Sequence, residues 1–336
     1  MARGPGIAAT LAAAFAGAAL ASLAGVPAGA LIGGTLAVAA LAATRLNLAC
    51  PVIMRDLAFA TIGISLGAGV DTRLVDQLAT WSVSLAILVA SLVTTILIGR
   101  LVLARGFGFD SATATLASSP GTMSNALAIA AEGRGDAAAV MVLQLMRLLV
   151  LVLAVPPLAV LLDAPEAAAL PSTPEMPPKV VFGLLAMAWG LGWLGARAGL
   201  PAASLLAGMI LSAAGHAAGM VEGIAPDQAI FAAFAVTGAV LGARLSGVTR
   251  AQLGRYLVAG LAVVGAALVV SLGFAALACA LTGLPFAQVW IAYAPGGVEA
   301  MAAIGLALGY DPGYVAVHHF ARIFALVLIV PAVLGR

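Results

Sequence analysis

The sequence predicts an all-α polytopic membrane protein: two inverted repeats of about five transmembrane helices, each with a Pro-Gly-broken or re-entrant helix. Three observations predict it. Of the 336 residues, 63% are hydrophobic and only 8% charged, against about 25% charged in soluble domains. Such a chain cannot cover a water-facing surface. Apolar runs of about 20 residues, enough to cross a bilayer as a helix, recur throughout, and the roughly 10-residue alternating strands of a membrane barrel are missing. Finally, the second half repeats the first.

In order, the spans fall at about 7–24, 27–44, 51–70, 79–104 and 137–160, then 180–198, 201–219, 226–245, 255–281 and 313–334. Between the fourth and fifth span of each set lies a segment interrupted by Pro-Gly, at 111–132 and 286–309. The first span faintly resembles a signal peptide. As one of many similar spans it is expected to stay in place. The stretch DAPEAAALPSTPEMPPK is Pro-rich and acidic and reads as a loop outside the membrane. Repeat 1 therefore occupies 1–162, the linker 163–179 and repeat 2 180–336.

A shift of 175 residues places Pro120-Gly121 on Pro295-Gly296, Asp136 on Asp311, Arg147 on Arg322 and Pro156 on Pro331. From 120 to 156, 13 of 37 positions are identical without a gap. Gly63 and Gly67 fall on Gly238 and Gly242, and GVPAGALIGG at 25–34 matches GLPAASLLAG at 199–208 with a shift of 174. Chance pairs Ala with Ala in such a chain, but it does not align Pro, Asp and Arg in one register.

Loop charge orients the repeats, because cytoplasmic loops carry an excess of Lys and Arg. The loop after the second span holds Arg45 in repeat 1, but His216, Glu222 and Asp227 in repeat 2. The loop after the third span holds Asp71, Arg73 and Asp76 in repeat 1, but Arg244, Arg250 and Arg255 in repeat 2. The basic side thus alternates between equivalent loops, as it does when one repeat is upside down. With ten spans and both termini cytoplasmic, the inside holds Arg3, Arg45, Arg55, Arg100, Arg105, Arg134, Arg197, Arg244, Arg250, Arg255 and Arg336. The outside holds only Arg73 and Lys179. The expected location is the bacterial inner (cytoplasmic) membrane.

Arg147, Glu299, His319 and Arg322 fall within membrane-depth segments, where ionisable groups are costly and mark function. Gln144 and Arg147 share a helix face, as do His319 and Arg322, with His318 beside them. The arginines either tie their helices to carbonyls freed at the breaks or bind a ligand, and both roles are compatible. The histidines read first as interhelical hydrogen-bonders. Asp136 and Asp311 read as helix N-caps. Discontinuous helices in matched places of two repeats are how many carriers build a midplane site. The first break offers Ser118, Ser119, Pro120, Gly121, Thr122, Ser124 and Asn125, a donor-rich patch suited to a carboxylate or other anion. The second offers Pro295, Gly296 and Gly297, with Glu299 in place of Ser124. Glu299 reads as a structural ion pair or charge compensation at a helix start, or as an ion-coupling group together with His319.

Cys50 and Cys279 give neither a disulfide framework nor zinc spacing, and three histidines are too few for a multi-metal enzyme. HExxH and GxSxG do not occur, and no aromatic-basic patch suggests nucleic acid. No catalytic residue, metal or cofactor is expected.

The stretches SSPGTMSNALAIAAEGRGDAAAVMVLQLMRLLVLVLAVP and YAPGGVEAMAAIGLALGYDPGYVAVHHFARIFALVLIVP resemble the duplicated signature of the AbrB-type integral membrane family. The shared elements are the Pro-Gly break, the Asp before the last helix, the (Q/H)-x-x-R helix and the closing Pro, and the likeness covers nearly the whole chain. This sequence departs from it at Ser124 and Asn125, where members often carry an acid. The family is grouped with cation:proton antiporter and anion transporter folds. The resemblance therefore implies a secondary transporter of a small, anionic solute coupled to H⁺ or Na⁺. Labels attached to the family add two alternatives: an indirect role in regulation of gene expression, and, less favoured, an ammonia-monooxygenase-like enzyme. The expected partners are the lipid bilayer, a small-molecule or ion substrate and, as one option, a second copy of the chain in a homodimer.

Overall fold

The computed structural model describes residues 4–334 except 43, 45, 70–73, 121–125, 128, 131, 163–173 and 201. The longer helices are α1 (Gly4–Leu23), α2 (Gly29–Ala42), α3 (Val52–Ala68), α4 (Leu74–Leu101), α5 (Ser111–Ser118) and α6 (Ala137–Leu162). They continue as α7 (Pro178–Arg197), α8 (Ala203–Ala217), α9 (Asp227–Ala243), α10 (Arg250–Thr282), α11 (Phe286–Tyr293), α12 (Val298–Ala307) and α13 (Pro312–Leu334). Among the described residues the only β-type pairing is the isolated bridge between Glu175 and Ile224. Seven helices among the described residues are long and apolar enough to cross a membrane.

The internal duplication reappears in the helix bounds. A shift of 174 carries α1 onto α7, and a shift of 175 carries α3 onto α9 and α5 onto α11, end for end. The joint before α2 and that before α8 carry the same unusual backbone: Ala28 at φ 53° and Ala202 at φ 49°, behind Gly25 and Gly199 at φ 70° and 80°. Alanine rarely adopts positive φ, so the same strained turn is held in both repeats.

Some expected spans differ in length. Helices α2, α3 and α8 have 14, 17 and 15 residues, or roughly 21–26 Å at 1.5 Å per residue, short of the ~30 Å hydrocarbon layer. Helix α10 starts at Arg250 rather than near 255, because Thr249 and Gln252 form a reciprocal capping box ahead of the apolar run. Arg250 and Arg255 are therefore helical. His216, expected in a loop, lies in the last turn of α8 and interacts with the Ser212 and Gly223 carbonyls.

The chain divides into two compact units, each drawing on both repeats. Unit 1 gathers α1–α3 and α7–α9. Here α3 packs along α8, and α9 along α2, so each repeat's third helix lies on the other repeat's second. Glycine makes these crossings possible. Gly63 receives the Leu205 backbone, and its counterpart Gly238 receives the Leu31 backbone, where an added Cβ would sit 2.8 Å from the carbonyl oxygen. Close backbone approach through small residues is how apolar helices associate in lipid. Buried Thr35, Thr61 and Thr237 spend their hydroxyls on carbonyls four residues back in their own helices. The first turn of α3 and the last turn of α9 line one cavity. These two counterpart helices, which also pack on each other, therefore run in opposite directions.

Unit 2 gathers α4–α6, α10 and α11, with residues 298–301 and 317–334. Helix α4 ends in a π-helical turn, Val102–Gly106, where α10 stays α-helical. Helices α5 and α11 both pack on α6, and α10 packs on α6 and α11. Trp290 on α11 donates its indole N–H to Ser271 of α10 at 3.1 Å.

Candidate functional site

The two helix breaks lie in unit 2. Asp110 caps α5 by accepting from the Ala112 and Thr113 amides at 3.0 and 2.9 Å. The helix ends at Ser118, just before Pro120, since a residue preceding proline is pushed out of helical geometry. In repeat 2, α11 ends at Tyr293 before Pro295, and α12 begins at Val298. Such ends leave backbone carbonyls without helical partners, and burial makes each one costly.

The arginines satisfy them. Arg147 donates from Nη1 to the Ser119 carbonyl at 2.9 Å and reaches the Ala117 carbonyl at 3.5 Å. Arg322 donates from Nη1 to the Ala294 carbonyl and from Nη2 to the Gly296 carbonyl, both at 2.6 Å. Ser119 and Ala294 are counterparts under the 175-residue shift, so the same hook recurs. Its geometry suits arginine, whose planar fork presents several donors. Both guanidinium groups are buried, Arg322 completely. Among the described residues neither forms an ion pair.

Beside each arginine the repeats diverge. Gln144 donates to the Leu116 carbonyl at 2.8 Å. Its counterpart is His319, and that of Leu116 is Ile291. Both ring nitrogens of His319 are buried without a hydrogen bond, although the Ile291 backbone is its neighbour. Gln144 Oε1 and the Nε atoms of Arg147 and Arg322 are likewise buried and unpaired. His318 is the hydrogen-bonder of the two: its Nε2 lies 2.9 Å from Ser84 Oγ. Tyr293 completes this cluster, donating its hydroxyl to the Ser84 carbonyl and lying 3.2 Å from Ser84 Oγ. Its ring stacks on His318 at 6.2 Å, with Trp81 on the imidazole at 6.3 Å.

Glu299 sits half-buried in the first turn of α12. Among the described residues it makes no ion pair with Arg322, but its carboxylate and the Arg147 guanidinium both act electrostatically on Arg322. A Cβ at Gly297 would lie 3.4 Å from Leu148 and 3.6 Å from Glu299 Oε2. The second break is thus tucked against α6 next to Arg147.

Of the other expected residues, Ser118 is buried but spends its hydroxyl on the Ala114 carbonyl at 2.7 Å. It adds no donor to the break, because a serine in the last helical turn finds its own backbone first. Ser119 and Pro120 are buried at the first break, as are Pro295 and Gly296 at the second. Gly121, Thr122, Ser124 and Asn125 lie outside the described residues. Asp136 accepts from the Ala138 and Ala139 amides, and Asp311 from those of Gly313 and Tyr314. Both are N-caps. Sequence reasoning missed Trp81, Ser84 and Tyr293. One serine among several hydroxyl residues in its span, more than 200 positions from its partners, carries no local signal.

Residues 31–336 match the family described as "Transition state regulatory protein AbrB". The chain belongs to the AbrB family. No curated protein matches it. In this AbrB-family chain the hooked arginines, both Pro-Gly breaks and the three capping aspartates Asp110, Asp136 and Asp311 all fall inside the matched region. Among its described residues no three His, Cys, Asp or Glu are grouped to hold a metal ion.

Proposed function

We propose that the chain is a secondary transporter of a small anionic solute, coupled to H⁺ or Na⁺, in the bacterial inner membrane. It is built as two inverted repeats of five spans, with both termini cytoplasmic. The inverted reading is supported by the opposed directions of α3 and α9 and by the alternating loop charge. The breaks are then the discontinuous helices that form a carrier's midplane site. Neither an enzymatic activity nor a nucleic-acid partner is part of this reading.

One observation carries it: two buried arginines, hooked to the breaks, form no ion pair among the described residues, Glu299 acting on Arg322 only from beyond ion-pair distance. Buried charges are normally paired. A solute carboxylate or similar anion supplies the missing charge, and the unpaired Nε atoms supply hydrogen-bond donors. Glu299 and His319 then carry the coupled ion in repeat 2, while repeat 1 contributes binding alone.

The test has two parts. Purified protein is screened for thermal stabilisation by a panel of small carboxylates and oxyanions, because a ligand that binds the folded state stabilises it. Stabilising anions are then tested for gradient-driven uptake into liposomes. Stabilisation and driven uptake by at least one anion support the reading, and neither from any anion defeats it. The family description names a regulatory protein, which favours a second reading, an indirect regulatory role. A deletion phenotype rescued by a transport-dead variant would select it.

A further inference from the structure

Unit 1 carries a surface cavity of about 250 Å³ lined by Cys50, Val52, Arg55, Val240, Ala243 and Arg244. It lies between the start of α3 and the end of α9, and nothing in the proposed transport mechanism uses it. Arg55 commits Nε and Nη2 to Asp56 Oδ1 at 2.9 and 2.7 Å. Arg244 has no ion pair among the described residues. With one acid against two arginines the cavity keeps a net positive charge. Part of its wall is apolar and open: Val52, one of the lining residues, is 61% exposed.

The repeat supplies an internal control. A shift of 175 places Asp227 where Val52 stands, Ile230 where Arg55 stands and Gly69 where Arg244 stands. At these equivalent positions the same two helices carry no arginine and one acid, Arg73 coming only later in the chain, after the end of α3. The fold does not require the basic pair. It is present only at the end that loop charge assigns to the cytoplasm.

We infer that this cavity seats the phosphate of an anionic phospholipid headgroup. Guanidinium groups recognise phosphate oxygens through paired charge-assisted hydrogen bonds. Basic pockets between helices on the cytoplasmic side are suited to anionic headgroups. The exposed Val52 on its wall distinguishes a lipid from soluble phosphate, because acyl chains cover apolar surface that an inorganic ion leaves wet. The inference does not depend on the transport reading.

Full-length protein in detergent is titrated with phosphatidylglycerol, phosphatidylcholine and inorganic phosphate, with binding read by native mass spectrometry and thermal stabilisation. Phosphatidylglycerol is expected to bind best, and Arg55→Gln/Arg244→Gln to weaken it roughly 30-fold, given about 1 kcal/mol per basic residue near an anionic surface. Arg100→Gln/Arg105→Gln, which removes the same charge elsewhere, is expected to leave it nearly unchanged. Equal binding of phosphatidylcholine, equal stabilisation by inorganic phosphate, or an unaffected cavity variant would each overturn the inference. Should the cavity variant fail to fold, the native protein still decides. High salt must weaken phosphatidylglycerol binding, and an unchanged affinity overturns the inference.

Discussion

The two helix breaks share a frame and differ in chemistry. At both, a helix of eight residues stops before a proline, and an arginine from the helix that follows an N-cap aspartate satisfies the freed carbonyls. Beside the arginine, repeat 1 places Gln144, whose amide is satisfied by Leu116. Repeat 2 places His319 with no hydrogen bond, a hydrogen-bonded His318, and Glu299. Duplication preserved the costly structural contact and let the neighbouring group diverge from neutral to titratable. Under the proposed function, one break holds the solute and the other also senses the coupling ion.

The largest effect tests the shared frame. Arg147→Ala and Arg322→Ala each leave freed carbonyls buried, at about 1–3 kcal/mol per unsatisfied group. Both variants are expected to lose several kcal/mol, with Arg322→Ala the worse because it abandons two 2.6 Å bonds. Thermal unfolding in detergent measures this; no loss in either variant would break the shared frame, and equal losses would overturn only the ranking.

Next comes the polar cluster that joins Ser84 of repeat 1 to Tyr293 and His318 of repeat 2 and has no counterpart under the duplication. Ser84→Ala removes the hydroxyl partner of His318 and Tyr293, with an expected cost of about 1–2 kcal/mol. Ala259, the position equivalent to Ser84 in α10, already lacks a hydroxyl. A Ser84→Ala variant as stable as the native protein would show that the asymmetry has no structural cost.

His319→Gln sharpens the comparison in the opposite direction. It makes repeat 2 resemble repeat 1 and offers an amide to the Ile291 carbonyl as Gln144 does to that of Leu116. Stability is expected to rise by about 1 kcal/mol, while gradient-driven uptake falls. A variant that is less stable would mean that His319 is not the strained member of the pair.

The smallest effect checks the frame itself. Asp136→Ala and Asp311→Ala remove equivalent caps, each accepting two amides, and are each expected to cost about 1 kcal/mol. Clearly unequal values would weaken the claim that the two halves are energetically equivalent outside the site.

Much of the frame is legible in the sequence because it rests on rare residues in register. Pro120 and Pro295 mark the breaks, Arg147 and Arg322 the hooks, and Asp136 and Asp311 the caps. Apolar run length locates the helices, but it cannot show that α2 and α8 are short. Nor does it show that α3 packs on α8 from the other repeat, since glycine spacing names a packing face without its partner. The Ser84–His318–Tyr293 cluster is invisible for the same reason. Composition counts the Ser118 hydroxyl without showing that its own helix takes it up.

The most direct measurement of the central claim follows proton or Na⁺ movement in liposomes as a stabilising anion is added outside. Native protein and Glu299→Gln are compared, with anion binding checked in parallel by thermal stabilisation. The account predicts that Glu299→Gln still binds the anion but moves no coupled ion. Ion movement by Glu299→Gln equal to that of the native protein would contradict it.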